Sequence, residues 1–107
     1  MTAAAVVPPD LLDSVVSYFH PRRVILFGSR AVGTHGPESD IDLVVVLDDD
    51  APSDMRTARA GYESRRGYEQ AADIIPVRDS VLRRRARAIG SFAHIVLRDG
   101  VTVYERE

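Results

Sequence analysis

At 107 residues the chain is long enough for one hydrophobic core and too short for two, so a mechanism divided between domains is not expected. Fourteen Lys and Arg against 16 Asp and Glu leave a formal net charge of −2, which is not the balance of a chain built to coat nucleic acid; a polynucleotide role would need a local patch. The absence of cysteine removes disulfides, thiolate catalysis and cysteine-ligated zinc together, so a metal here must use oxygen or histidine.

With 45% hydrophobic and 28% charged residues the composition is that of a globular protein. No apolar run approaches the roughly 18 residues that span a bilayer. The opening Met1 to Pro9 has no basic residue ahead of its small apolar stretch, a poor secretory signal. A single cytoplasmic domain over residues 1–107 is expected, with 1–8 as a frayed start and no membrane partner.

In chain order, Leu11, Leu12, Val15, Val16 and Phe19 recur at helical spacing behind Pro8 and Pro9, which suit a helix start. This predicts a core-covering helix from Pro9 to Phe19, ended by His20-Pro21 because a residue before proline avoids the α region. His20 reads as a surface histidine. Val24 to Phe27 is short and wholly apolar, a strand buried on both faces that delivers Gly28 to a joint. Glycine there lets the backbone approach a ligand closely, with free N–H groups for an anion. Ser29 to Val32 reads as a short helix, with Ser29 as a phosphate-contacting hydroxyl or a plain N-cap. Gly33, Gly36 and Pro37 mark a loop in which His35 is solvated, and Ser39 stands just ahead of an aspartate pair.

Asp40 and Asp42 open the next strand two positions apart, so both carboxylates leave one face roughly 7 Å apart at the backbone. Asp40, Asp42, Val44 and Val46 share that face, and Ile41, Leu43, Val45 and Leu47 the other. Two adjacent carboxylates at the start of a buried strand cost stability unless a cation or donors neutralise them. Magnesium is the natural candidate, since it takes oxygen ligands and shares its shell with substrate phosphates. Asp48, Asp49 and Asp50 read as a solvated loop without catalytic role.

Pro52 with Ser53 or Asp54 starts a predicted helix to about Arg66, weakened by Gly61 and Gly67. Ala71 to Val77 is a third strand with one polar intruder, Asp73, which either pairs with an arginine or faces the metal site. Asp79 or Ser80 caps a further helix, with Val81, Leu82, Ala86 and Ile89 inward and Arg83, Arg84, Arg85 and Arg87 mostly outward. That basic face is solvated, or meets an acidic partner surface, nucleotide phosphates or RNA. Phe92, Ile95 and Val96 mark a second short helix with His94 on its surface, Gly100 suits a left-handed position after it, and Val101 to Tyr104 forms an edge strand. The order describes an α/β (α+β) fold: a small mixed β-sheet covered by helices.

Gly28-Ser29, ten intervening residues and Asp40-Ile41-Asp42 together resemble the G-S-x10-D-x-D signature of the polymerase-β-like nucleotidyltransferase superfamily. The short chain is similar to its minimal nucleotidyltransferase branch, the MNT domains, many of which are antitoxins beside HEPN-domain toxins. The resemblance runs from Val24 to at least Val77. It implies that Asp40 and Asp42 ligate metal, that Asp73 completes the catalytic-metal site, and that the Gly28-Ser29 turn binds the terminal phosphates. Arg30 would add a charge contact there, and Ser39 lies within the nucleotide site. It implies two Mg2+ ions and transfer of AMP from ATP to a hydroxyl, typically a tyrosine of the HEPN toxin, which would supply the missing wall of the site; a nucleic acid is not expected as direct substrate. Val32 departs from the arginine of many relatives. Three other readings stand beside this one: an antitoxin that acts by covering its partner with vestigial chemistry, a transferase acting on a small-molecule hydroxyl, and a generic α/β domain with incidental aspartates.

Overall fold

The computed structural model describes residues 7–28 and 41–106. The expected short helix from Ser29 and loop through His35, like the positions of Arg30, Val32, Ser39 and Asp40, lie outside the described residues. Helix α1 spans Pro9–Phe19, with Pro9 at the first helical position, where its missing N–H costs nothing. Its stripe of Leu11, Val15 and Phe19 is buried. His20 ends it in the left-handed conformation, φ 47°, donating its N–H to the Val16 carbonyl at 2.8 Å. Val7, expected within a frayed start, is 2% exposed and belongs to the core beneath this helix.

Strand β1 spans Arg23–Phe27 and pairs antiparallel with β2, Ile41–Leu47. A 3-10 turn, Ser53–Arg56, precedes helix α2, Ala58–Ser64. The single helix expected from residue 53 to 66 is broken at Thr57, whose backbone is extended and whose Oγ1 accepts from the Ala60 N–H at 3.0 Å. A threonine that can cap a fresh helix competes with continuing the old one. Strand β3, Ala72–Arg78, runs parallel to β2. Helices α3, Asp79–Arg85, and α4, Phe92–Asp99, follow, and β4, Val101–Glu105, closes the chain. The sheet order is β3-β2-β1-β4, so β3 and β4 are its edges.

Alternation along the strands divides the core in two. On one face Val24, Leu26, Leu43 and Val45 meet α1 and Ala60 of α2. On the other Ile25, Val44 and Val46 meet Leu82 of α3 and Ala93 and Val96 of α4. The central strands are therefore covered on both sides, as their unbroken apolar runs require.

Three expectations need correction. Ile89 is 90% exposed because α3 stops at Arg85 and residues 86–90 leave the helical period that would have turned it inward. The inward residues of α4 are Ala93 and Val96, while Phe92 and Ile95 are half exposed. Gly100 is extended, φ −72°, and not left-handed; glycine is needed there because a Cβ would lie within van der Waals radii of the Val96 carbonyl oxygen and Ile25 Cγ2.

The cap of α3 also differs from expectation. Neither Asp79 nor Ser80 caps it with its own side chain; Asp49 Oδ1, from the loop after β2, accepts the Ser80 backbone N–H at 2.9 Å. That bond, with the Arg78 and Arg22 charges nearby, holds the Asp49 carboxyl below the ordinary aspartate range. Asp48 beside it accepts from both Arg106, at 2.8 and 3.0 Å, and Arg22, at 3.3 Å. The aspartate run is thus a structural clip at the end of the sheet remote from Gly28.

Candidate active site

The site is assembled where β1 ends and β2 and β3 begin. Because β1 and β2 are antiparallel while β2 and β3 are parallel, the last residue of β1 and the first residues of the other two strands come to one end of the sheet. Phe27 is in register with Asp42, and Asp42 with Asp73.

Gly28 follows Phe27 with φ +78°, a conformation that residues with a side chain rarely adopt. A Cβ on it would stand 2.7 Å from Asp42 Oδ2. Glycine is therefore required twice over, for the backbone angle and for the room that the Asp42 carboxylate occupies. The turn and the carboxylate form one tightly packed feature.

Directly paired residues of neighbouring strands point to the same face, so Asp42 and Asp73 present their carboxylates side by side, from backbones about 4.8 Å apart. The face is the one that α3 and α4 cover further along at Val44 and Val46; at the first residues of the strands Asp42 is half-buried and Asp73 exposed. Like charges directly opposite one another destabilise a sheet. Asp73 makes no ion pair among the described residues.

Of the sequence-predicted site residues, the structure brings together Gly28, Asp42 and Asp73; Ser29, Arg30, Ser39 and Asp40 lie outside the described residues. Two hard oxygen donors beside a glycine cradle suit a divalent cation such as Mg2+, which needs few protein ligands when phosphates complete its shell. Among the described residues no group of three or more carboxylates, histidines or cysteines is gathered to hold a metal, and Asp40, the further ligand that the family resemblance implies, lies outside them. Sequence reasoning did not find that the Phe92 ring meets Phe27 edge-to-face, 5.2 Å between centroids, directly behind the Gly28 turn. The signal in the sequence is an aromatic at the start of the second helix after the third strand.

No helix among the described residues is long and apolar enough to cross a membrane. A comparison with curated proteins finds no match. Among solved structures, the chain is similar to one from Sulfolobus solfataricus assigned as a nucleotidyltransferase, with 24% identity and a TM-score of 0.61 over 96% of this chain and 78% of that one. It is also similar to a chain of a toxin-antitoxin structure with AMP-PNP, with 19% identity and a TM-score of 0.60 over 94% of this chain and 76% of that one. Both likenesses are of fold, which is the polymerase-β-like nucleotidyltransferase fold expected from the sequence. The family model for the nucleotidyltransferase domain matches residues 9–94, a span that holds every element from α1 to the start of α4 and all of the predicted site residues, and the chain belongs to that nucleotidyltransferase family.

Proposed function

We propose that the chain transfers AMP from ATP, with Mg2+, to a tyrosine hydroxyl of a HEPN-type toxin partner, and acts in the cytoplasm as its antitoxin. The observation that carries the chemistry is the register match of Asp42 with Asp73 against the Gly28 turn, within a nucleotidyltransferase domain. The antitoxin reading draws on the likeness in fold to a chain of a toxin-antitoxin structure with AMP-PNP.

In this reading the Gly28-Ser29 turn would receive the terminal phosphates, with Arg30 and Ser39 adding contacts, and Asp40, Asp42 and Asp73 would hold the metal. Bound magnesium would lower the pKa of the acceptor hydroxyl and offset charge on the departing pyrophosphate. The acceptor oxygen attacks the α-phosphorus, the bond from that phosphorus to the bridging oxygen breaks, and pyrophosphate leaves. Asp73, the exposed carboxylate of the pair, would take the hydroxyl proton in this reading. The half-buried Asp42, pressed against Gly28, would be the ligand held in place by packing that orients the phosphates.

The test is label transfer from α-labelled ATP, with magnesium, to a co-expressed HEPN toxin. Transfer to a toxin tyrosine that vanishes on Asp42→Ala supports the proposal. Inhibition of the toxin that survives Asp42→Ala without any label transfer would instead make the chain an antitoxin by coverage, and label on a small-molecule hydroxyl alone would exclude the toxin as acceptor.

A further inference from the structure

With no ion pair among the described residues to hold it, the Asp73 carboxylate stands wherever the start of β3 puts it. β3 is an edge strand, paired with β2 alone, and parallel pairing is the weaker kind. Between Tyr68 and Ala72, both packed on the core, Glu69, Gln70 and Ala71 are exposed and gain no hold from burial. A slip of one residue at this end would turn Asp73 to the opposite face and take it out of register with Asp42.

Arg65, the residue after α2, ties that segment down. Its Nη2 donates to the Gln70 carbonyl at 2.6 Å and to the Tyr68 carbonyl at 3.1 Å, while its own carbonyl accepts the Tyr68 N–H at 2.9 Å. One residue beyond Gln70, the Ala71 carbonyl accepts the Ile41 N–H at 3.3 Å, and Ala72 and Asp73 then fall into register with Ile41 and Asp42. The guanidinium carbon is 5.8 Å from the centroid of the Tyr62 ring and 5.9 Å from that of Tyr68, within the range of cation–π attraction. Its Nε is buried with no hydrogen-bond partner, which costs stability. Two carbonyls and two rings therefore decide where this guanidinium sits, at the expense of Nε. A Cβ on Gly67, inside the turn, would meet nothing within 4 Å, so the clamp depends on Arg65 and not on that glycine.

We infer that Arg65 is a positioning residue for nucleotidyl transfer: by tying the Tyr68 and Gln70 carbonyls to the end of α2 it fixes where β3 begins, and so keeps the Asp73 carboxylate beside that of Asp42 for a shared metal ion. The inference rests on the nucleotidyltransfer reading and adds to it the group that sets the carboxylates side by side. Arg65 acts through the backbone, five to eight residues along the chain. A lysine at this position keeps the positive charge and enough N–H donors for both carbonyls, whereas a methionine keeps an apolar stem near the tyrosine rings and has no donor. The two substitutions separate the clamp from the filling of space.

The experiment reads backbone amide exchange, and ATP affinity with and without magnesium, for the whole chain and for Arg65→Met, Arg65→Lys and Asp48→Asn, the last a change at the far end of the sheet. Arg65→Met is expected to speed exchange of the Ile41 amide about tenfold while Val45, at the centre of β2, is unchanged. It should also cut the gain in ATP affinity that magnesium brings by about tenfold, the scale on which loss of a group supporting a metal ligand is felt. Affinity for ATP without magnesium should hold. Arg65→Lys and Asp48→Asn should keep most of the wild-type magnesium gain. Arg65→Gln, whose amide is too short to span both carbonyls, replaces Arg65→Met should that variant not fold. Equal acceleration of Ile41 and Val45, an intact magnesium gain in Arg65→Met, or an Arg65→Lys protein as impaired as Arg65→Met overturns the assignment. A wild type that gains nothing from magnesium sinks the nucleotidyltransfer reading and this role with it, whereas failure of the clamp alone leaves the wild-type gain in place.

Discussion

A Cβ on Gly61 would stand 2.2 Å from the backbone carbonyl oxygen of Ile74, so α2 lies against β3 with no room for a side chain between them. In a helix interior, glycine to alanine is normally worth about 1 kcal/mol of stability. Here the sign reverses. Forcing a methyl group into a packed contact costs about 1–3 kcal/mol, and backbone cannot give way as a flexible side chain can. Gly61→Ala is expected to lower Tm by roughly 5 °C or more, read by thermal unfolding. A rise in Tm would mean that α2 does not sit on β3 as described.

Gly28 and Gly67 separate backbone strain from crowding at the site. Both have positive φ, +78° and +93°, but a Cβ on Gly67 would meet nothing within 4 Å, whereas one on Gly28 would strike Asp42. Each alanine variant should lose about 1–2 kcal/mol of stability through the backbone alone. Only Gly28→Ala should also lose nucleotidyl transfer, by about a hundredfold in kcat/KM, because the Asp42 carboxylate must move. Equal activity of the two variants would detach Gly28 from the chemistry.

Much of this architecture was legible in the sequence, for reasons that can be traced residue by residue. α1 was readable because Leu11, Val15 and Phe19 form one buried stripe, and β2 because a run of Leu43 to Leu47 has no alternative to burial on both faces. Asp42 and Asp73 could be joined from the sequence only by a resemblance; their register match follows from the parallel pairing of β2 and β3, which no local pattern encodes. Local rules failed where a distant residue decides. Asp49 caps a helix that starts 30 residues later, Gly100 is required by Val96 and Ile25 and not by its own backbone angle, and Thr57 starts a new helix where composition suggested one continuous one.

The paired carboxylates themselves make a prediction about stability. Asp42 and Asp73 are opposite one another in the sheet, and like charges so placed repel. Asp73→Asn should therefore raise Tm in the absence of divalent ions while abolishing transfer. In the wild type, magnesium with ATP should raise Tm, and the variant should lose most of that gain, because a ligand stabilises only as far as it binds the folded state. Scanning fluorimetry with and without magnesium decides it; a variant that melts lower without metal would show that Asp73 is held by a favourable contact and not strained by its neighbour.

At the opposite end of the sheet, Asp48 ties Arg106 of the chain's last segment to Arg22 at the entry of β1. The Arg106 hydrogen bond first, and the charges of both arginines with it, hold the Asp48 carboxyl below its ordinary value of 3.8, against a smaller opposing effect of desolvation. A carboxyl depressed on folding favours the folded state in full above its unfolded value and loses that contribution as pH falls through the folded one. The wild type should accordingly lose stability as pH drops below about 4, and Asp48→Asn, which removes the titrating group, should flatten that part of the acid limb while lowering Tm modestly at neutral pH. Because the pair is exposed, about 0.5 M salt should shrink the neutral-pH difference between the two proteins. Melting curves between about pH 7 and pH 3, at low and high salt, carry the test: parallel acid limbs for wild type and Asp48→Asn would mean that the clip does not hold the end of β4 to β1 in solution.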